Sequence, residues 1–183
     1  MATKNGTFVA LLRGINVGGK NKLPMKDLVL MFERAGCAST RHYIQSGNVV
    51  FKAPPALAAR IRAVVQAAIE KELGLRVPVL VRAAKELHAV AAGNPFLAAG
   101  ADPDALHVMF LADAPSKAAI AALDPDRSPP DAFAVEGREI YLSCPKGVRN
   151  TKLTNAWFDA KLTTTSTGRN WRTVVKLVSM CDG

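Results

Sequence analysis

The order of strand-like and helix-like segments in residues 1–82 recurs about 100 residues later, and this repeat is the strongest constraint on the fold. In the first copy, short apolar runs typical of strands alternate with segments whose apolar residues recur at helical spacing, in the order βαββαβ. The second copy has the same order with almost no matching residues. This is the ferredoxin-like plan. We therefore predict an α+β protein with two ferredoxin-like (βαββαβ) halves in tandem plus a C-terminal helix; a single domain with one continuous sheet is the alternative.

The first half begins with a buried strand, TFVALL, followed by a helix after Pro24 and by a hairpin that turns at Ser46-Gly47-Asn48. A long Ala-rich helix begins at Pro55 and ends before Gly74. Its predicted buried face consists of Leu57, Ile61, Val64 and Ala68. The strand RVPVLV closes the half at a sheet edge, because Pro78 has no backbone donor.

The second half repeats this order with the strand LHVMFLAD, the helix SKAAIAAL, the hairpin DAFAVEGREIYL, the helix TKLTNAWFDAKL and the strand KLTTTST. A final helix presents an apolar face made of Trp171, Val174, Val175 and Val178. The predicted boundaries are 1–82 for the first subdomain, 83–104 for a linker helix and loop, and 105–183 for the second subdomain with the C-terminal helix.

Charge is distributed unevenly along the 183 residues, whose formal net charge is +9. Residues 1–82 carry a net +9, residues 83–144 a net −5 and residues 145–183 a net +5. Clustered positive charge favours an anionic partner. No apolar run approaches the roughly 20 residues of a membrane span, and the N-terminus lacks the pattern of a secretory signal. We predict a soluble cytoplasmic protein with no membrane partner; the oligomeric state is left open.

Cysteine and histidine are few and scattered, with three of each. They form no Cys-x-x-Cys pair and no Cys/His cluster, so the sequence predicts neither a disulfide framework nor a metal site. No catalytic role is assigned to any of these six residues, and no cofactor is predicted.

The segment LLRGINVGGKN has the spacing of a nucleotide-binding P-loop, since four residues separate Gly14 from Gly19 and Lys20 follows. Three features argue against that function. Asn21 stands where a Ser or Thr would bind magnesium, Pro24 delays the helix that should begin at the loop, and βαββαβ order differs from parallel βα units. We predict instead an anion-binding glycine loop, with a plain glycine-rich turn as the alternative. Its candidate binding residues are Arg13, Asn16, Gly18, Gly19, Lys20 and Asn21.

Five motifs in the same order resemble those of the bacterial domain-of-unknown-function family 1697: LLRGINVGGKNKLPMKDL, YIQSGNVVF, NPF, TKLTNAWFDAKL and TGRNWRTVVKL. They span nearly the whole chain. The resemblance implies a compact α/β fold of two similar α+β subdomains and implies no assigned activity. Two departures are Thr151, where the family motif has Ser, and Arg172, where it has Asn. The resemblance adds the site residues Gln45, Ser46, Gly47, Asn48, Lys152, Thr154, Arg169, Asn170 and Trp171.

Most of these motif residues are polar and lie in turns, where packing alone gives little reason for one identity. Lys152 is predicted in the first turn of its helix, where a bound anion would offset the unfavourable dipole. Asn170 is predicted to cap the last helix, with Arg169 just before an anion-attracting helix start. Trp171 is predicted in the core. Convergence of these segments with the glycine loop would make one basic site.

Three functions remain open from the sequence. The first is a site for a small phosphate- or carboxylate-bearing ligand, held by Arg13, Lys152 and Arg169. Whether the protein is an enzyme stays open, because the candidate site residues include no Asp, Glu, His or Cys to transfer a proton. The alternative is a non-specific nucleic-acid-binding module, favoured by the basic halves and disfavoured by an aromatic content of only 6%. The third is a structural or assembly protein with no ligand, whose motif amides form buried hydrogen-bond networks.

Overall fold

A computed structural model describes residues 5–183, so the first four residues of the predicted subdomain 1–82 lie outside it. The βαββαβ order occurs twice, as predicted. The strands are β1 (Gly6–Leu12), β2 (Ala38–Tyr43), β3 (Asn48–Ala53), β4 (Val79–Ala83), β5 (Leu106–Leu111), β6 (Ala132–Glu136), β7 (Glu139–Ser143) and β8 (Ser166–Asn170). The helices are α1 (Met25–Arg34), α2 (Pro55–Leu73), α3 (Ala84–Ala92), α4 (Pro95–Ala98), α5 (Lys117–Ala121), α6 (Asn155–Leu162) and α7 (Trp171–Cys181). Within the described range, none of these helices combines the length and apolarity needed to span a membrane.

The chain divides into two compact units. Unit 1 runs to His88 and also includes Leu177–Gly183, and unit 2 is Ala89–Lys176. These units differ from the predicted subdomains, because the predicted linker 83–104 is divided between them and the last residues of α7 group with unit 1.

Unit 1 contains an antiparallel sheet in the order β2-β3-β1-β4, which is the ferredoxin-like order. β4 lies at the edge, as Pro78 predicts. Helices α1 and α2 cover one face of the sheet, and their buried side chains form a core with β1 and β3. That face of α2 carries Val65 and Ile69; the predicted Val64 is 40% exposed. The error arises because Ala at many positions of α2 leaves the direction of its buried face weakly specified by the sequence.

Unit 2 repeats the same topology in the order β6-β7-β5-β8. Its core joins β5 and β7 to α6 through Met109, Leu142 and Phe158. Two predicted boundaries in this half are wrong. α6 begins at Asn155 because Thr154 is its N-cap, so Lys152 precedes the helix. β8 begins at Ser166, since Lys161 and Leu162 belong to α6.

Each half also has a helix after its last strand, with α3 following β4 and α7 following β8. The predicted linker helix and C-terminal helix are therefore counterparts, and the repeated unit is βαββαβα. Trp171 is buried at the start of α7, as predicted, but the buried face of α7 carries Leu177 where Val175 was expected. Val175 is 48% exposed.

Candidate functional site

The glycine loop of unit 1 is a tight hairpin turn. Val17 and Lys20 form an isolated β-bridge, and the Lys20 N–H donates to the Val17 carbonyl oxygen at 3.0 Å. Gly18 and Gly19 have φ angles of 57° and 75°, the positive values that a two-residue turn of this kind needs at both central positions. α1 begins only at Met25. The loop therefore lacks the helix start that faces phosphates in a P-loop.

Two asparagine side chains hold this loop in place. Asn16 Nδ2 donates to the backbone oxygens of Leu23 and Gln45, both at 2.9 Å, and Asn16 Oδ1 accepts from the Leu23 N–H at 2.9 Å. Asn21 Nδ2 donates to the Gly14 carbonyl oxygen at 2.9 Å. Both asparagines have positive φ, 55° and 48°. Their side-chain amides thus have structural partners that the sequence alone does not reveal.

The second motif, Gln45 to Asn48, packs against the end of β1. Asn48 is fully buried, and its Nδ2 donates to the Tyr43 carbonyl oxygen at 3.1 Å and to Ser46 Oγ at 2.9 Å. The Leu12 N–H donates to the Gly47 carbonyl oxygen at 2.8 Å. Gly47 has φ of 78°, and an added Cβ would lie 2.6 Å from Leu12 Cβ. Packing favours glycine at position 47, and hydrogen bonding favours asparagine at position 48.

The predicted basic residues of unit 1 differ in exposure. Lys20 has an exposed side chain at the tip of the loop, whereas Arg13 is half-buried and its backbone N–H donates to the Pro78 carbonyl oxygen at 3.0 Å. The loop and the 45–48 turn meet at the bond from Asn16 to Gln45. Unit 1 therefore brings its two motifs together, largely through hydrogen bonds that hold the backbone.

The motifs of unit 2 meet at a cavity of about 310 Å³. It lies between the ends of β5, β7 and β8 and the segment that leads into α6. Seven residues from the two C-terminal motifs line it, and Lys152, exposed, lies outside this lining. The lining residues are His107, Met109, Leu142, Val148, Thr151, Leu153, Thr154, Asn155, Gly168, Arg169 and Asn170.

The polar residues at the cavity are positioned by two helix caps and one serine. The Thr154 hydroxyl accepts from the Trp157 N–H at 3.2 Å, and Asn170 Oδ1 accepts from the Thr173 N–H at 2.8 Å. The second contact confirms the predicted cap of the last helix. Ser128 Oγ accepts from the Lys152 N–H at 3.0 Å and so holds the segment before α6.

Arg169 borders the cavity but does not point into it. It precedes the N-cap of α7 as predicted, yet its side chain is only 7% exposed. Its Nη1 donates to Thr167 Oγ1 at 2.9 Å and to the Gly168 carbonyl oxygen at 2.7 Å. Because side chains alternate along a strand, Arg169 shares a face with Thr167, opposite the face that pairs Gly168 with Met109. Desolvation by burial lowers the Arg169 pKa to about 10, which leaves the side chain charged at neutral pH.

His107 is a cavity residue to which the sequence assigned no role. Its Nδ1 is buried and has no hydrogen-bond partner among the described residues. Burial lowers the His107 pKa, and the Ala105 backbone partly opposes this shift. A pKa below the ordinary 6.5 leaves the imidazole mainly neutral at pH 7.

The two halves differ at the positions that form this cavity. In unit 1, Phe8 pairs with Phe51 and Ala83, and the rings of Phe8 and Phe51 stack at 5.7 Å. In unit 2 the equivalent strand position is His107, paired with Leu142 and Asn170. Aligning the repeated strands would have placed His107 opposite Phe8, which is the signal that could have identified it.

A second difference lies two residues further along, at the next pair on the same face of the sheet. Ala10 pairs with Val81 in unit 1, and Met109 pairs with Gly168 in unit 2. A Cβ added to Gly168 would have the Met109 Cγ, at 3.9 Å, as its nearest neighbour among the described atoms. Aromatic rings and a valine thus fill in unit 1 the region that is open in unit 2.

A smaller cavity of about 250 Å³ adjoins the first, because His107 and Asn170 line both. Its other lining residues are Pro103, Asp104, Trp171 and Arg172. The Arg172 guanidinium binds the Asp104 carboxylate with two parallel hydrogen bonds, both 2.8 Å long. Within residues 5–183, no group of three or more His, Cys, Asp or Glu side chains is placed to hold a metal ion.

Comparison with known proteins shows the fold and the family. The solved structure of the conserved bacterial protein SP0830 from Streptococcus pneumoniae is similar over 97% of this chain and 99% of that chain, with a TM-score of 0.73 and 19% identity. No curated protein sequence matches the chain. The family model described as "Protein of unknown function (DUF1697)" matches residues 6–141. The chain belongs to the DUF1697 family.

Proposed function

We propose that this protein binds a small molecule in the 310 Å³ cavity of unit 2 and that the ligand carries a phosphate or carboxylate group. The observation that supports the proposal is the convergence of two separate motifs, represented by Thr154 and Asn170, on one cavity. The equivalent strand positions of unit 1 are filled by Phe8 and Val81.

The lining suits a ligand with an apolar body and a hydrogen-bonding head. Met109, Leu142 and Leu153 supply apolar surface, and the side chains of His107, Thr151, Asn155 and Asn170 supply polar groups. The volume lies at the lower end of the roughly 300–1,000 Å³ found for ligand pockets. A molecule of a few to about a dozen non-hydrogen atoms fits such a space.

An anionic head is supported by the two helix starts at the cavity. α6 begins beside Thr154 and α7 beside Asn170, and the N-terminus of a helix carries partial positive charge. Lys152 lies between two lining residues in sequence, although its side chain is exposed. Participation of Arg13 and Lys20 in the same site stays a prediction, as does the cytoplasmic location. We assign no reaction to the site.

The nucleic-acid alternative gains no support from the sheet of unit 1. Proteins that bind single-stranded RNA through such a sheet stack bases on exposed aromatic side chains of the central strands. Here β1 is buried on both faces, since Val9, Ala10, Leu11 and Leu12 are each 0% exposed.

A thermal-shift screen tests the proposal. The panel contains sugar phosphates, nucleotides, small carboxylates and inorganic anions, with short oligonucleotides as a separate arm. A ligand at 100 times its dissociation constant adds about 2.7 kcal/mol, which raises the melting temperature of a chain this size by roughly 5–10 °C.

The matched variants are Gly168→Val, which places in the cavity the side chain that unit 1 has at Val81, and Ala134→Val, which adds a similar side chain to β6 outside the cavity lining. We expect Gly168→Val to abolish the shift and Ala134→Val to preserve it. A shift that survives Gly168→Val would place the ligand elsewhere. A shift with oligonucleotides alone would favour the nucleic-acid function.

A further inference from the structure

The two adjoining cavities of unit 2 share a wall formed by His107 and Asn170. The first contains most of the apolar lining, and the second contains the ion pair between Arg172 and Asp104. A ligand that occupies both cavities would contact the lining of each, which includes Arg172 in the second.

The ion pair is arranged so that another carboxylate can take the place of Asp104. Arg172 Nε contacts Asp104 Oδ1 and Arg172 Nη2 contacts Oδ2, both at 2.8 Å. A guanidinium binds a carboxylate or a phosphate in this same two-pronged manner. The Arg172 and Asp104 side chains are 77% and 57% exposed, and ion pairs at such exposure contribute little net stability. Exchanging Asp104 for an anionic ligand thus has a small energetic cost.

The surroundings keep Arg172 at the cavity while this exchange occurs. Arg172 is the second residue of α7, whose start is held by the Asn170 cap. Asp104 belongs to the short 3-10 turn Pro103–Ala105, and the Ala105 carbonyl oxygen accepts from the Cys144 N–H at 2.8 Å. Neither of these hydrogen bonds involves the Arg172 or Asp104 side chain, so both segments are held independently of the ion pair.

We propose that Arg172 is the anchor for the anionic group of the ligand, and that Asp104 occupies this anchor as an internal substitute until the ligand binds. The ligand class is a molecule with an apolar body for the first cavity and a terminal carboxylate or phosphate for the second. The inference rests on the proposed function, because the body must occupy the first cavity.

Binding of three probes by the full chain tests this inference: phenyl phosphate, benzoate, and benzyl alcohol as the uncharged analogue. Titration is followed by the backbone amide NMR signals of His107 and Asn170 and by the Nε–H signal of Arg172. Asp104→Asn removes the competing carboxylate, and Arg172→Gln removes the anchor. Both side chains are exposed, so we expect each variant to fold with a melting temperature close to that of the unmodified protein.

We expect Asp104→Asn to tighten, and Arg172→Gln to weaken, the binding of phenyl phosphate or benzoate by about tenfold, with benzyl alcohol unaffected by either. Preference for phenyl phosphate over benzoate would assign a phosphate ligand, and the reverse a carboxylate. Affinities for the anionic probes that stay within about twofold in both variants would contradict the anchor and leave the first cavity as the site. Failure of all three probes to bind the unmodified protein would contradict the proposed function as well.

Discussion

Replacing Gly47 with alanine tests whether the 45–48 motif holds the fold or serves a ligand. At φ of 78° an L-residue is strained by about 1–2 kcal/mol. The new Cβ would also lie 2.6 Å from Leu12 Cβ and 3.0 Å from Ile15 Cδ1. Leu12 Cβ is attached directly to the backbone, and the Leu12 N–H is bonded to the Gly47 carbonyl oxygen at 2.8 Å, so it cannot easily move away. Overpacking of this kind adds about 1–3 kcal/mol. We therefore expect Gly47→Ala to lower the free energy of unfolding by about 2–5 kcal/mol.

The matched control is Gly18→Ala, because Gly18 also has positive φ, 57°, but a Cβ there meets no described atom within 4 Å. Its expected loss is the backbone strain alone, about 1–2 kcal/mol. Urea unfolding followed by far-UV circular dichroism gives both values, with the slope m expected to stay unchanged. Equal losses for the two variants would refute the steric argument. A Gly47→Ala protein of normal stability would return the motif to the list of ligand-binding candidates.

Three further predictions concern pH and capping. The lowered pKa of His107 means that the stability it contributes as a neutral group is complete above pH 6.5, its ordinary pKa, and is lost as the pH falls through the folded value. Melting temperatures from pH 7.5 to 5 should therefore fall more steeply for the unmodified protein than for His107→Asn. Burial raises the pKa of the Cys144 thiol from 9.0 to about 11, so stability should fall as the pH rises through that interval. Melting temperatures measured across the same alkaline interval should fall less for Cys144→Ala than for the unmodified protein. Asn170→Ala removes the cap on the Thr173 N–H and should lower the free energy of unfolding by about 1 kcal/mol, measured by urea unfolding beside Asn150→Ala as an exposed control outside α7.

The element order of both halves could be predicted from the sequence because strand and helix periodicities differ and because Pro55, Gly74 and Asn170 punctuate the helices where the structure has them. Helix boundaries that depend on one local hydrogen bond were harder to predict from the sequence. Whether α6 begins at Lys152 or at Asn155 depends on which hydroxyl caps it. Both Thr151 and Thr154 could do so in the sequence, and the structure shows that the cap is Thr154.

The candidate site was predicted in part. The sequence selected Thr154, Arg169 and Asn170, which border the cavity, but it placed the Arg169 guanidinium at a surface to which it does not point. His107 was missed because its importance comes from strand pairing across the sheet, where it takes the place of a phenylalanine. The hydrogen bonds of the Asn16 side chain could not be predicted either, since their partners are backbone atoms up to 29 residues away.

Unit 1 and unit 2 should also differ in how often their sheets open locally, because strand positions that border the cavity in unit 2 are occupied by aromatic rings in unit 1. Amide hydrogens exchange with solvent through local openings whose free energy rises with buried apolar contact. In unit 1 the stacked rings of Phe8 and Phe51 add apolar contact between β1 and β3. In unit 2 the equivalent position of β5 is His107, which lines the cavity. We expect the amides of β5 and β8 to exchange faster than those of β1 and β4 in the ligand-free protein, and to slow toward them when a ligand occupies the cavity. Two sheets of the same topology would then have different amide exchange rates. The exchange rates in unit 2 would report ligand binding, and those in unit 1 would serve as the internal reference.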